Sequence, residues 1–240
     1  MEVTVVTYNL LYIQYFENEA WWKCTWVRLK NLMNKGCIVC MQNIGRTFQA
    51  KLYWVCEDIN YTCIFSFHHC TDGEGTAILY PNKWTLTDCH IFDGYSIWSS
   101  TSWYQHVHRL ARPKCNAIIA TLSQFKSDST QHTIRVASVH IPDTNLRHSK
   151  NIETYVSLLS CLPLENLVIC GNFNGLIDSR PYLLFPKEYH LTDVHKVGKC
   201  DSNILVSHDV MVNKWNTRTF INDDAYPHRH CVILTTLTFQ

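Results

Sequence analysis

Four apolar, strand-like runs in this 240-residue chain end on amide or imidazole side chains. They are Val5-Val6-Thr7-Tyr8-Asn9, Val39-Cys40-Met41-Gln42-Asn43, Val136-Ala137-Ser138-Val139-His140 and Val168-Ile169-Cys170-Gly171-Asn172-Phe173-Asn174. A single polar residue in that place is an ordinary strand cap. Four together are how a sheet protein assembles a site beyond the carboxyl ends of its strands. An amide oxygen is at best a weak ligand for a hard cation. It brings no charge and cannot act as a base near neutral pH.

Strands must stand behind these ends, and period-two apolar runs recur along the whole chain. Glu2–Asn9, Cys37–Met41, Tyr61–Phe67, Thr76–Tyr80, Trp84–Phe92, Ala117–Leu122, Thr133–His140, Leu167–Cys170, Leu205–Val212 and Cys231–Phe239 read as strands. Helical spacing is found in Trp21–Met33, where Trp22, Trp26, Leu29 and Leu32 share a face. It recurs in Thr47–Val55 and in Lys150–Cys161. Strands before and after each helix predict two packed sheets flanked by helices.

Composition narrows the class. Apolar residues make up 46% of the chain and charged ones 17%, which suits a large buried core and excludes a disordered or coiled-coil chain. No linker or repeat divides it, so residues 1–240 are expected to form a single domain. Lys+Arg is 21 against 20 for Asp+Glu, so any nucleic-acid contact must come from a local patch. No run of 18 apolar residues occurs, and no membrane span is expected. The start, Met1-Glu2-Val3-Thr4-Val5-Val6, reads as a strand and not a signal peptide. The twelve cysteines are therefore expected as free thiols of a cytoplasmic protein, or a nuclear one, and not of a secreted one. Cys37-Ile-Val-Cys40 has half-zinc-site spacing, but alternation along a strand sends the two thiols to opposite faces.

The strand-end motifs, in their order, resemble the endonuclease/exonuclease/phosphatase superfamily. Thr7-Tyr8-Asn9 is similar to its opening Y-N element, Met41-Gln42-Asn43 to L-Q-E, and Ser138-Val139-His140 to N-T-H-L. Gly171-Asn172-Phe173-Asn174-Gly175 is similar to G-D-F-N-S, Ser207–Val212 to the I-D-Y-I strand, and Tyr226–Val232 to the terminal P-S-D-H element. Three further segments resemble the branch of nocturnin, the carbon-catabolite-repressor-type poly(A) nucleases and the 2′-5′ phosphodiesterases. They are Trp21–Met33, Asp72–Tyr80 and Tyr226–Phe239. The resemblance implies an α/β four-layer α/β/β/α sandwich of two packed mixed sheets. It also implies Mg²⁺-dependent phosphodiester hydrolysis, with carboxylates holding the metal and aligning water.

Carried over residue by residue, the resemblance leaves Asn9, His140, Asn174, Asp209 and His230 as retained positions. It also replaces three carboxylates, by Asn43, Asn172 and Arg229. A Mg²⁺ ion, if one binds, would have only Asn43 and Asn172 for ligands, so no cofactor is expected. Arg229 and His230 are expected to bind phosphate instead, since a guanidinium makes paired, charge-assisted bonds to it. The implied function is that of a degenerate relative of 3′ exoribonucleases and phosphodiesterases that binds phosphate, single-stranded RNA, a nucleotide or a protein partner. An active metal-dependent exoribonuclease or phosphodiesterase with substituted ligands, and an interaction decoy with an empty cleft, are its rivals. Acids from outside the pattern, such as Glu74, Asp143 or Asp178, are the candidates for rebuilding a metal site. Two weaker clusters stand apart. His68-His69-Cys70 with Cys63 or His90 offers zinc-type ligands. His106, His108, Arg109 and Arg112 beside Trp98, Trp103 and Tyr104 offer stacking and cations for a single strand, or else a solvated loop.

Overall fold

The computed structural model describes residues 1–10, 19–67, 75–93, 116–125, 130–141, 164–173, 189–194, 202–221 and 231–239. In chain order these form β1 (Glu2–Asn9), α1 (Glu19–Asn34), β2 (Ile38–Ile44), α2 (Arg46–Asp58), β3 (Tyr61–Phe67), β4 (Gly75–Pro81) and β5 (Thr85–Asp93). There follow β6 (Asn116–Phe125), β7 (Gln131–His140), β8 (Leu167–Asn172), β9 (Leu191–Asp193), β10 (Ser202–Ser207), β11 (Val210–Ile221) and β12 (Cys231–Phe239). Two mixed six-stranded sheets result, ordered β11-β12-β1-β2-β4-β3 and β5-β6-β7-β8-β10-β9. Each has one central parallel pair, β1 with β2 and β7 with β8, and antiparallel partners around it. This is the expected α/β sandwich of two packed sheets.

Alternation decides which side chains meet between the sheets. Val3, Val5, Ile38, Cys40 and Ile78 of the first sheet face Ile118, Val136, Val168, Cys170 and Ile204 of the second. The residues between them in sequence point outward. On the first sheet they include Val6, Tyr8, Val39 and Met41, which α1 and α2 cover with Leu29, Met33, Phe48 and Leu52. Trp22 and Trp26 join that layer, each ring 4.7–4.9 Å from Phe48. Cys37 and Cys40 fall in different layers, as alternation requires. Gly36, at φ +75°, ends α1 in a left-handed turn, its N–H donating to the Met33 carbonyl at 2.8 Å. The outer face of the second sheet carries its own buried cluster, including Val139, Ile169, Phe173 and Leu205. The helix expected over Lys150–Cys161 lies outside the described residues.

One predicted element is corrected. Leu205–Val212 is not a single strand: His208 and Asp209 form a turn that ends β10 and begins β11. Nothing like Gly or Pro punctuates that turn in sequence, and strand β9, three residues long, is also absent from the periodicity. No described helix is long and apolar enough to cross a membrane. Seven described cysteines (Cys24, Cys37, Cys40, Cys56, Cys63, Cys89 and Cys170) are free thiols.

Gly171 gives the sandwich a test of its packing. A Cβ there would lie 2.8 Å from the Val139 carbonyl oxygen of the neighbouring strand and 3.1 Å from the Phe173 ring. Backbone cannot yield as a side-chain tip can. Gly171→Ala is therefore expected to destabilise the fold by about 1–3 kcal/mol, read as a lower urea midpoint at unchanged slope.

Candidate functional site

The apolar layer between the sheets turns polar at one edge. The strand directions bring the last residues of β1, β2, β3, β7 and β8 and the first residues of β4, β6, β10 and β12 to that edge. Following alternation up each strand, the inward positions there are Thr7 and Asn9, Gln42, Ser66 and Thr76 on the first sheet. On the second sheet they are Asn116, Ser138, His140, Asn172 and Ser202. All ten are buried, and none is an acid.

Part of this layer ties the sheets together. The Gln42 amide donates to Ser138 Oγ at 3.1 Å and to the Cys40 carbonyl at 3.2 Å, and its oxygen accepts from Thr7 Oγ1 at 3.1 Å. Ser138 Oγ donates back across the gap to the Met41 carbonyl at 3.1 Å. Asn116 Nδ2 donates to the Ser66 carbonyl on the opposite sheet at 3.0 Å. One layer deeper, burial first and a hydrogen bond with Cys40 second push the Cys170 thiol upward, so this thiol stays protonated and inert.

Another part finds no partner among the described residues: Thr76 Oγ1, Asn116 Oδ1, Ser202 Oγ and Asn43 Oδ1. All four belong to the same edge. Asn43 sits at φ 57° where the β2–β4 ladder slips between Gln42 and Ile44. Asn tolerates this left-handed conformation, and a bulge re-aims the side chains around it.

Sequence reasoning placed Asn9, His140, Asn172 and Asn43 at the edge, and the structure brings them there. His140 stands in register with both Asn116 and Asn172. Asn174, Arg229 and His230 lie outside the described residues, as do Glu74, Asp143, Asp178, the His68-His69-Cys70 segment and the residues from Trp98 to Arg112. Asp209 is not brought to the cluster. Its carboxylate accepts from the backbone N–H of Asn166 at 2.7 Å and from Ser207 Oγ, at the start of β8. That is about 20 Å along the strand from Asn172. The residue of β10 that does reach the edge is Ser202, paired with Asn172. Sequence reasoning missed it, together with Thr76 and Asn116. Each opens a strand, and only the antiparallel register reveals such a position as a neighbour of a strand end. Asp193, paired with the outward Leu205 on the outer face of the second sheet, accepts from Asn203 Nδ2 at 2.8 Å. Among the described residues no three His, Cys, Asp or Glu converge as a metal site. A hard Mg²⁺ ion needs anionic oxygens, and this neutral donor set does not fit it.

Comparison with known proteins supports the fold. The chain is similar to an endonuclease/exonuclease/phosphatase from Bacteroides vulgatus, at 15% identity and a TM-score of 0.75 with all of both chains covered. It is similar also to the human nocturnin catalytic domain with bound sulfate anion, at 17% identity and a TM-score of 0.69, covering all of this chain and 94% of the other. The architecture is thus that of the endonuclease/exonuclease/phosphatase sandwich. In sequence the chain is 24% identical over 236 residues to the CCR4-Not complex 3′-5′-exoribonuclease subunit Ccr4 of Kluyveromyces lactis, which places its likeness toward the nocturnin and poly(A)-nuclease branch. That match covers 80% of this chain, which spans 29% of the yeast protein. No protein-family model matches.

Asp209 separates this placement from the sequence reading. Partial burial raises its pKa, but bonds from Ser207 and from the backbone N–H groups of Asn166 and Asp209 outweigh that and hold it below the usual carboxylate range. A lowered native pKa stabilises the fold above the ordinary carboxylate value, and that contribution is lost as pH falls through the lowered one. Because the group is largely solvated, Asp209→Asn should cost about 1 kcal/mol or less at pH 7, and nothing below about pH 2, in urea titrations. Phosphate binding should be unchanged in this variant, since the residue is at the far edge.

Proposed function

We propose that this chain is a catalytically degenerate relative of the metal-dependent 3′ exoribonucleases and phosphodiesterases, and that its strand-edge cleft binds phosphate or a nucleic-acid strand without a metal. The observation that carries this reading is the charge of the inward polar layer, in which none of the ten described buried residues is a carboxylate. Phosphodiester hydrolysis in this architecture depends on a cation and a base, and Asn43, Asn172 and Ser202 can supply neither. Amides and hydroxyls instead donate hydrogen bonds to anionic oxygens. The buried groups of Thr76, Asn116 and Ser202 carry spare hydrogen-bonding capacity. Each costs about 1–3 kcal/mol while unpaired; a bound phosphate would offset it at the Thr76 and Ser202 hydroxyls, and a ribose hydroxyl donating to Asn116 Oδ1 would offset it there.

Arg229 and His230 complete this reading as the charged donors. A guanidinium at the former metal position would fix one phosphate through two parallel hydrogen bonds, and the imidazolium would add a third. The sulfate held by the nocturnin domain is the same kind of anion on the same architecture. The protein is accordingly a binder, with cytoplasmic or nuclear single-stranded RNA, a nucleotide or a phosphorylated partner as its ligand classes.

The decisive experiment follows a labelled oligo(A) with Mg²⁺ or EDTA present. The expected outcome is an intact oligonucleotide in both; cleavage that EDTA abolishes, in protein free of contaminating nuclease, makes the chain an active enzyme instead. Arg229→Ala should weaken metal-free phosphate binding by about 1.5–3 kcal/mol, measured calorimetrically. Restoring acids through Asn43→Glu, Asn172→Asp and Arg229→Asp together should create Mg²⁺ binding before it creates any turnover.

A further inference from the structure

Beside the edge, on the outside of the first sheet, the free face of α1 and the start of β12 enclose an open groove of about 480 Å³. Its floor is apolar, made by Val27, Leu32 and Val232. Val27 is 62% exposed, so its apolar surface is open to a ligand. Lys23, Arg28 and Lys35 add three cations, and no acid lines it among the described residues. The cations run along α1 from its second turn to just past its end, about 18 Å at the rise of an α-helix.

The groove is continuous with the strand edge. Val232 pairs with Tyr8, and Asn9 of the polar layer is the next residue. The buried Tyr8 hydroxyl is hydrogen-bonded to Thr25 and accepts from the Arg28 guanidinium, so one cation of the groove is anchored to the strand that carries Asn9.

We infer that this groove is a second nucleotide-binding subsite, which takes the continuation of a single strand held at the edge. The inference rests on the reading of that edge as a phosphate site. A base or ribose packs on Val27 and Val232, with the Asn31 amide within the lining to hydrogen-bond a base edge, while Lys23, Arg28 and Lys35 neutralise successive phosphates. An acidic peptide would answer to the cations alone, whereas the apolar side chains of the lining and the pairing of Val232 beside Asn9 favour a nucleic-acid strand.

The test is anisotropy of a fluorescein-labelled oligo(A) with the full chain in EDTA, across a salt series. Lys23 and Lys35 are exposed, so Lys23→Glu with Lys35→Glu should fold normally. The pair should weaken oligo(A) binding at least tenfold and flatten the salt dependence by between one and two counterions. Binding of inorganic phosphate, read by calorimetry, should not change. Bound oligo(A) should also slow alkylation of Cys24, an exposed thiol in the lining. Unchanged oligo(A) affinity in the double variant, no protection of Cys24, or equal affinity for poly-glutamate would each overturn the subsite. Lost phosphate binding in Arg229→Ala reports on the edge alone, so the two readings fail separately.

Discussion

Gln42 joins the two halves of this protein. Its amide, fully buried, reaches from the first sheet to Ser138 of the second, and Ser138 answers by bonding the Met41 carbonyl. Below that contact the interface is dry, packed by Val5, Cys40, Val136 and Cys170. Above it every inward residue is polar. A buried polar network of this kind must be satisfied nearly in full, or it costs more than an apolar core would. Its register therefore fixes how the sheets dock, and with it the mutual placement of Asn9, His140 and Asn172.

The bonds that dock the sheets are separate from the positions where the resemblance expects acids. Hydrogen bonds that hold the sheets together run through Gln42, Thr7, Ser138 and Asn116, all neutral and none at a position where the resemblance expects an acid. The positions beyond them, Asn43, Asn172 and Ser202, make none of these bonds between the sheets, so on the proposed reading charge could be lost there without unsettling the sandwich. An amide in place of a carboxylate there keeps size and hydrogen bonding and removes the attraction for a divalent ion. A buried carboxylate without a metal would itself be costly, so a neutral layer is the cheaper state if, as proposed, the site holds no cation.

Much of the fold was legible because its signals are local. Period-two runs marked most strands, and Trp22, Trp26 and Leu29 marked the face of α1 that packs on the first sheet. The candidate site was legible where a residue ends a strand, as Asn9, His140 and Asn172 do. It was not legible where a residue begins one: Thr76, Asn116 and Ser202 become neighbours of those ends only through antiparallel pairing, a non-local property. Asp209 was misplaced for a related reason. Ser207-His208-Asp209 carries no Gly or Pro, so two strands read as one, and the residue of β10 at the edge proved to be Ser202.

The neutrality of the edge is the centre of this account, and manganese tests it most directly. Mn²⁺ takes the same hard oxygen ligands as Mg²⁺, and its free aquo ion gives a paramagnetic resonance signal that disappears on binding. Titrated into the protein at neutral pH, Mn²⁺ should stay free, its signal rising in step with total metal as in buffer. A stoichiometric loss of signal, saturating at one or two ions per chain, would show that carboxylates rebuild a metal site and would contradict the account.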